Sequence, residues 1–266
     1  MTETARTVDG LAYEIAGSGP AVLLLHSGLT DRRMWDPLWD ELAARFTAVR
    51  FDARGFGEST DLGESVSFHR DALAVLDDAG VDRAAVIGVS FGGSTAIDVA
   101  LHAPARVRAL VVVNAEPSGW EHSDELRQLQ AEAGRALEAG DFDTANAVEM
   151  RIWLDGPARS PGEVDPSVRK LVSGQNRELL ERQAAQDPEV DELDPAALAR
   201  LGELSMPLLV VVGEFDQPSM RAACEALASA TGAERAEIAG AAHLPMLERP
   251  REFAVAVLPF LEHHLR

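Results

Sequence analysis

The chain has 266 residues, 46% of them hydrophobic, and a formal net charge of −20 at pH 7. This composition supports a sizeable buried core, and the negative charge disfavours nucleic acid and anionic membrane surfaces as partners. No segment approaches the roughly 18 consecutive apolar residues of a membrane span, and the N-terminus lacks the basic start and apolar stretch of an export signal. We therefore expect a soluble, cytoplasmic, single-domain protein with an insertion.

Short apolar runs predict the strands of a parallel sheet that is buried on both faces. In chain order these runs are AVLLLH (21–26), TAVRFD (47–52), AAVIGVS (84–90), VRALVVVNA (107–115) and PLLVVVG (207–213). Amphipathic segments at 35–46, 67–80 and 91–104 lie between the first four runs and predict helices, because their apolar residues recur three and four positions apart. The alternation predicts an α/β fold with a doubly wound, mostly parallel sheet.

The alternation stops between residues 118 and 205, where several helical stretches follow one another without an apolar strand. We interpret this segment as an inserted helical cap. After it, the pattern resumes with the run at 207–213, a helix through 221–230, a strand near 233–240 and a final helix from Arg251 to His264. The expected division is a core formed by residues 1–117 and 206–266, with the cap at 118–205.

A serine stands where the third predicted strand meets the next helix. Gly88-Val89-Ser90-Phe91-Gly92 matches G-x-S-x-G, the pattern of a sharp strand-to-helix turn that exposes a nucleophilic serine. Small residues are needed on both sides because the helix backbone passes close to the strand. The start of a helix also favours negative charge developing on a substrate. We therefore predict that Ser90 is a nucleophile.

A serine hydroxyl requires a histidine base and a carboxylate that orients it. Of the seven histidines, His243 is the one in a loop between the last predicted strand and the last helix, where a side chain reaches the carboxyl edge of the sheet. Asp216 follows the preceding strand, and the order serine, aspartate, histidine fits such enzymes. Glu214 and Glu116 remain alternatives for the acid.

Acyl transfer also requires two backbone N–H groups that stabilise an oxyanion. The sequence predicts one at Phe91, directly after the nucleophile, and the other in the loop after the first strand, at Gly28. No metal or organic cofactor is needed for this chemistry. The single cysteine, Cys224, excludes an intramolecular disulfide.

Five blocks of the chain together resemble the α/β-hydrolase superfamily, in that family's order. They are HSGLTDRRMW (26–35), FDARGFGES (51–59), GVSFGG (88–93), GEFDQP (213–218) and GAAHLPMLERP (240–250). The chain looks most similar to the serine esterase, perhydrolase and enol-lactone hydrolase branch. The resemblance implies that Gly28 is the loop donor and that Asp52 and Arg54 are structural. The chain differs from the family by having Ser27 where glycine is usual.

The expected activity is hydrolysis of a small carboxylic ester or lactone through an acyl-enzyme on Ser90. The cap is expected to determine the substrate, with contacts from Leu29, Trp120, Met150 and Trp153. Two alternatives remain open. The first is a perhydrolase, cofactor-free haloperoxidase or carbon–carbon bond hydrolase that uses the same three residues, and the second is a hydrolase-like ligand receptor.

Overall fold

The computed structural model describes residues 2–7, 9–60, 63–184 and 188–266. The strands are β1 (Glu3–Arg6), β2 (Ala12–Ala16), β3 (Ala21–Leu25), β4 (Thr47–Phe51), β5 (Ser65–Val66), β6 (Ala84–Val89), β7 (Val107–Val113), β8 (Glu189–Val190), β9 (Leu208–Gly213) and β10 (Glu234–Ile238). The helices are α1 (Asp36–Ala43), α2 (Phe68–Asp78), α3 (Phe91–His102), α4 (Asp124–Glu138), α5 (Phe142–Glu149), α6 (Pro166–Gln183), α7 (Pro218–Thr231), α8 (Pro245–Glu248) and α9 (Pro250–His264). None of the helices in these ranges is long and apolar enough to cross a membrane.

Eight strands form one sheet in the order β1-β2-β4-β3-β6-β7-β9-β10. From β4 to β10 the neighbouring strands are parallel, whereas β1 and β2 join antiparallel at one edge. The predicted doubly wound, mostly parallel α/β fold is confirmed. The two antiparallel strands are an addition that the apolar runs do not indicate, because β1 is largely exposed and β2 only partly buried.

The core lies on both faces of this sheet, as the continuous apolar runs predict. On one face, Leu24, Ile87 and Val111 pack with residues of α1 and α9. On the other face, the adjacent Leu23, Val86 and Leu110 pack with residues of α2, α3 and α7. Because consecutive side chains of a strand point to opposite faces, a strand covered by helices on both sides must be apolar throughout.

The chain between β7 and β9 contains α4, α5 and α6, together with a π-helix at Met150–Asp155 that continues directly from α5. The segment also holds the two-residue strand β8, which pairs in parallel with β5 of the preceding part of the chain. Both β8 residues are exposed, so no apolar pattern marks this strand in the sequence.

Parallel strands bring their carboxyl ends to one edge of a sheet, and the loops after β3, β6, β7, β9 and β10 meet there.

Candidate active site

Ser90 lies between β6 and α3 in a strained backbone conformation, with φ 54° and ψ −121°. A positive φ is uncommon for a residue with a side chain and persists only where the surrounding structure enforces it. The Ser90 N–H donates to the Val113 carbonyl at 2.9 Å, and the Ser90 carbonyl accepts from the Gly93 N–H at 2.7 Å. These bonds fix the turn at the carboxyl edge, where Ser90 is half-buried.

The glycines around Ser90 allow backbones to approach closely. A Cβ on Gly88 would lie 2.0 Å from the carbonyl oxygen of Gly92, and a Cβ on Gly92 would lie 2.4 Å from that of His26. Neither position therefore has room for a side chain. The Gly92 contact also brings the loop after β3 against the start of α3, beside Ser90.

His243 and Asp216 form a buried pair at the same edge. The His243 Nδ1 atom lies 2.9 Å and 3.0 Å from the two carboxylate oxygens of Asp216. The Gln217 N–H donates to the same carboxylate at 2.8 Å. If Nδ1 carries the proton donated to Asp216, Nε2 is left with a lone pair and is available as a base. Glu214, an alternative for the acid, instead accepts from the Gly240 N–H at 2.8 Å.

Glu116, the other alternative for the acid, contacts a different histidine. Its carboxylate is 3.5 Å from Nε2 of His122. Asp216 is thus the carboxylate that contacts the His243 ring in the part of the chain that the structure describes.

Asn114 holds the His243 loop against the sheet. Its amide Nδ2 donates to the carbonyls of Ala242 and His243, both at 3.0 Å, and its Oδ1 accepts from the Gly213 N–H at 2.9 Å. The side chain is fully buried, with φ 44° in the left-handed region that asparagine tolerates. Sequence reasoning missed this residue, although a polar residue ending the apolar run VRALVVVNA was an available signal.

The two predicted oxyanion donors are the backbone N–H of Phe91, at the start of α3, and that of Gly28, in the loop after β3. Neither the Phe91 nor the Gly28 N–H donates to another described residue. The two residues are adjacent, since a Cβ on Gly28 would be 3.5 Å from the Phe91 Cβ. The Ser27 hydroxyl accepts from the Leu29 N–H at 3.3 Å and hydrogen-bonds the Thr30 hydroxyl at 2.9 Å, which shapes the loop around Gly28.

Residues 22–257 match the sequence model of the alpha/beta hydrolase family. The chain belongs to this family. Over 117 residues it is 39% identical to a protein of Azorhizobium caulinodans named "Putative carbamate hydrolase RutD", in a match covering 43% of this chain and 43% of that relative. The matched part therefore spans less than half the length of this relative.

Two other proteins match over nearly the full length. The chain is 25% identical to 3-oxoadipate enol-lactonase 1 of Acinetobacter baylyi, over 94% of this chain and 92% of that enzyme. A solved structure of a thermophilic esterase from Thermogutta terrifontis superimposes with a TM-score of 0.79 at 24% identity, over 100% of both chains. The superposition on the esterase shows that the two chains share one fold.

The four residues predicted to contact substrate lie in different environments in this hydrolase. Trp153 is half-buried and packs against the His243 ring in a tilted arrangement, with ring centroids 4.5 Å apart and planes inclined by 35°. Trp120 is half-buried, and its Nε1 has no hydrogen-bond partner among the described residues. Leu29 and Met150 are buried within the hydrophobic core.

The predicted nucleophile and base are not hydrogen-bonded to each other. Among the described residues, the His243 ring hydrogen-bonds Asp216 and not Ser90. In hydrolases such contacts often tighten only when substrate binds.

No three histidine, cysteine, aspartate or glutamate side chains form a metal-binding group within the described ranges.

The histidine at the end of β3 has a structural role. His26 Nδ1 lies 2.8 Å from the Ser27 carbonyl, and Nε2 accepts from the Ala53 N–H at 2.9 Å. Burial lowers the pKa of His26, so the ring stays neutral and links the loops after β3 and β4.

The block FDARGFGES anchors the loop after β4. Asp52 accepts from the N–H groups of Arg32 and Glu58, both at 2.8 Å, and pairs with the Arg32 guanidinium. Arg54 binds the Asp71 carboxylate through two nitrogens, at 2.8 Å and 2.9 Å. These contacts support the structural interpretation of Asp52 and Arg54.

Proposed function

We propose that this hydrolase cleaves a small carboxylic ester or lactone through an acyl-enzyme formed on Ser90. The observation that carries the proposal is the buried His243–Asp216 pair, with Nδ1 2.9 Å from the carboxylate, at the sheet edge where Ser90 is held in its strained turn. A serine, a base and an orienting acid are the set that acyl transfer requires.

Ser90 Oγ attacks the substrate carbonyl carbon while His243 Nε2 accepts the hydroxyl proton. Asp216 holds the ring in the required tautomer and stabilises the imidazolium that forms. The N–H groups of Phe91 and Gly28 stabilise the oxyanion. His243 then donates its proton to the leaving alkoxide. Water repeats the sequence on the acyl-enzyme and releases the carboxylic acid.

The proposal includes residues 118–205 as a cap that forms the wall of the substrate site. Trp153 has the strongest support as a substrate contact because its ring already contacts the base. Trp120, with its unpartnered Nε1, is the second candidate. Met150 and Leu29 are proposed as apolar residues behind the site, since both are buried in the core. The enol-lactonase relative supports lactones as candidate physiological substrates.

The first experiment is labelling with a fluorescent fluorophosphonate, together with acetate release from p-nitrophenyl acetate. We expect the wild-type protein to be labelled and active, and Ser90→Ala to lose both signals. Ser94→Ala is the matched control, because Ser94 lies one helical turn further along α3 and its hydroxyl donates to the Glu116 carbonyl at 2.7 Å. Labelling that persists in Ser90→Ala would refute the proposed nucleophile.

A further inference from the structure

The predicted base lies in a loop that is anchored by a buried ion pair outside the catalytic set. We propose that Glu248 and Arg159 are positioning residues that connect the π-helix Met150–Asp155 to the His243 loop and so orient the His243 ring. This inference rests on the proposed function, since it assigns His243 the role of base. Neither side chain hydrogen-bonds Ser90, His243 or Asp216 among the described residues.

Glu248 holds the residue that directly precedes His243. Its Oε1 accepts from the Ala242 N–H at 2.9 Å, and its Oε2 lies 2.7 Å from Arg159 Nη1. The two side chains are only 3% and 6% exposed, so the pair is shielded from solvent. Burial raises the pKa of Glu248, and Arg159 opposes this shift. Removal of either partner would leave an uncompensated buried charge.

Arg159 extends the connection from Glu248 to the π-helix. Its guanidinium donates to the carbonyls of Leu154 at 2.6 Å and Asp155 at 3.0 Å, at the end of that helix. It also donates to the Gly240 carbonyl at 3.2 Å, at the start of the His243 loop. A single side chain therefore bonds both segments.

The π-helix in turn contacts the base directly. The Trp153 ring packs against the His243 ring, and the Trp153 carbonyl accepts from the His243 N–H at 3.3 Å. Displacement of the π-helix would therefore move the ring surface and the carbonyl that both contact His243. π-Helical turns are rare and are found frequently at functional sites. The ion pair thus stabilises one surface against which the imidazole is oriented.

A merely structural ion pair would affect stability alone, whereas a positioning pair also affects turnover. We expect Glu248→Ala to lower kcat on p-nitrophenyl acetate by about 10- to 100-fold, because misplacement of a catalytic group costs rate steeply. KM should change by less than about twofold, since neither residue is assigned a contact with the substrate. Glu248→Gln should retain part of kcat, because its amide oxygen can still accept from the Ala242 N–H.

The matched control is Glu14→Ala. Glu14 lies on β2 and forms another ion pair, partly buried and 2.6 Å from Arg50, away from the His243 loop. Glu14→Ala should lower the free energy of unfolding, as Glu248→Ala does, while kcat stays near the wild-type value. An equal kcat loss in both variants, or unchanged kcat in Glu248→Ala, would overturn the proposal.

A second readout follows the ring itself. Because the Trp153 ring packs against His243, its emission at one fixed pH reports on this contact. The Trp153 emission of each variant is obtained by subtracting the spectrum of the same protein carrying Trp153→Phe. Glu248→Ala should change this emission while Glu14→Ala leaves it unchanged, and an unchanged emission in Glu248→Ala would overturn the proposal. Absence of both labelling and turnover in the wild type would refute the proposed function instead, and the fluorescence comparison would still decide whether the pair holds His243.

Discussion

Ser90 depends on glycines that have no room for a Cβ. We expect Gly88→Ala to lower the free energy of unfolding by about 3 kcal/mol, because the added methyl would lie 2.0 Å from the Gly92 carbonyl oxygen and the helix would have to move. Fluorophosphonate labelling should fall with it, since the same helix start presents Ser90 and Phe91. Urea denaturation and labelling rate measure the two effects.

The control for this substitution is Gly134→Ala in α4. No atom lies within 4 Å of the Cβ that this change would add. Alanine is the better helix former by about 0.5–1 kcal/mol, so the control should be neutral or stabilising. A Gly88→Ala protein as stable as Gly134→Ala would show that the turn has room that the structure does not indicate.

Asn114 shows how one buried amide fixes the position of the base. Asn114→Ala would leave the Gly213 N–H and the carbonyls of Ala242 and His243 without this partner. We expect a loss of about 2–4 kcal/mol in the free energy of unfolding, together with slower labelling, because unpaired buried polar groups are costly.

Asn146→Ala serves as the comparison for Asn114→Ala. Asn146 is a buried asparagine of α5 whose amide donates to the Ser173 hydroxyl at 2.8 Å. This variant should lose stability but retain its labelling rate. Equal labelling rates in Asn114→Ala and the wild type would contradict the assignment of Asn114 to the support of His243.

Helix α3 carries Asp98, and the environment of its carboxyl group favours the protonated form. Burial, and then the charge of Glu192, raises the pKa of Asp98 to about 6, and Arg200 opposes the shift. Asp98 Oδ1 is buried and has no hydrogen-bond partner among the described residues. The folded protein therefore holds this proton more tightly than the unfolded chain does. Proton binding at Asp98 therefore stabilises the folded protein relative to the unfolded chain. This contribution is fully present below a pH of about 4 and is lost as the pH rises through about 6.

We therefore expect Asp98→Asn to be more stable than the wild type at pH 8, by on the order of 1 kcal/mol after allowance for solvent screening of this partly exposed carboxyl. The advantage should shrink toward pH 4, where the wild-type carboxyl is protonated. Urea denaturation at both values measures it. The control is Asp124→Asn in α4. The Asp124 side chain is 80% exposed, so its replacement should change the free energy of unfolding by less than about 0.5 kcal/mol. An Asp98→Asn protein less stable than the wild type at pH 8 would refute the expectation.

The elements also explain what the sequence could and could not predict. Strands β3, β6 and β7 are apolar at nearly every position because helices cover both of their faces, and this pattern is visible along the chain. Strands β1 and β2 lie at the sheet edge and expose part of their surface, so their residues show no such pattern. Edge strands are therefore harder to identify from apolar periodicity alone.

The same distinction applies to the candidate site. Ser90, Asp216 and His243 were predictable as candidates because each follows a strand and belongs to a short sequence block. The role of Arg159 and Glu248 was not, since the ion pair that connects them joins residues more than 80 positions apart along the chain. Their significance depends on the folded arrangement of the π-helix and the His243 loop, which no local pattern encodes.

The core on both faces of the sheet predicts that the protein unfolds cooperatively, and the single cysteine provides a probe of this unfolding. Cys224 lies in α7, is 2% exposed and packs in the core layer that covers one face of the sheet. Burial raises the pKa of its thiol to about 12, so the reactive thiolate is almost absent at pH 8 while the protein is folded.

We therefore expect Cys224 to react with an aromatic disulfide reagent at pH 8 only through opening of the core. If exposure of Cys224 requires global unfolding, its modification rate follows the population of the unfolded chain. The logarithm of this rate should then increase with urea concentration with the same slope as the equilibrium unfolding transition. Cys224→Ser, which lacks the thiol, gives the background rate. Rapid modification in the absence of urea would show that α7 opens separately from the sheet, and that the two faces of the core are not held as one cooperative unit.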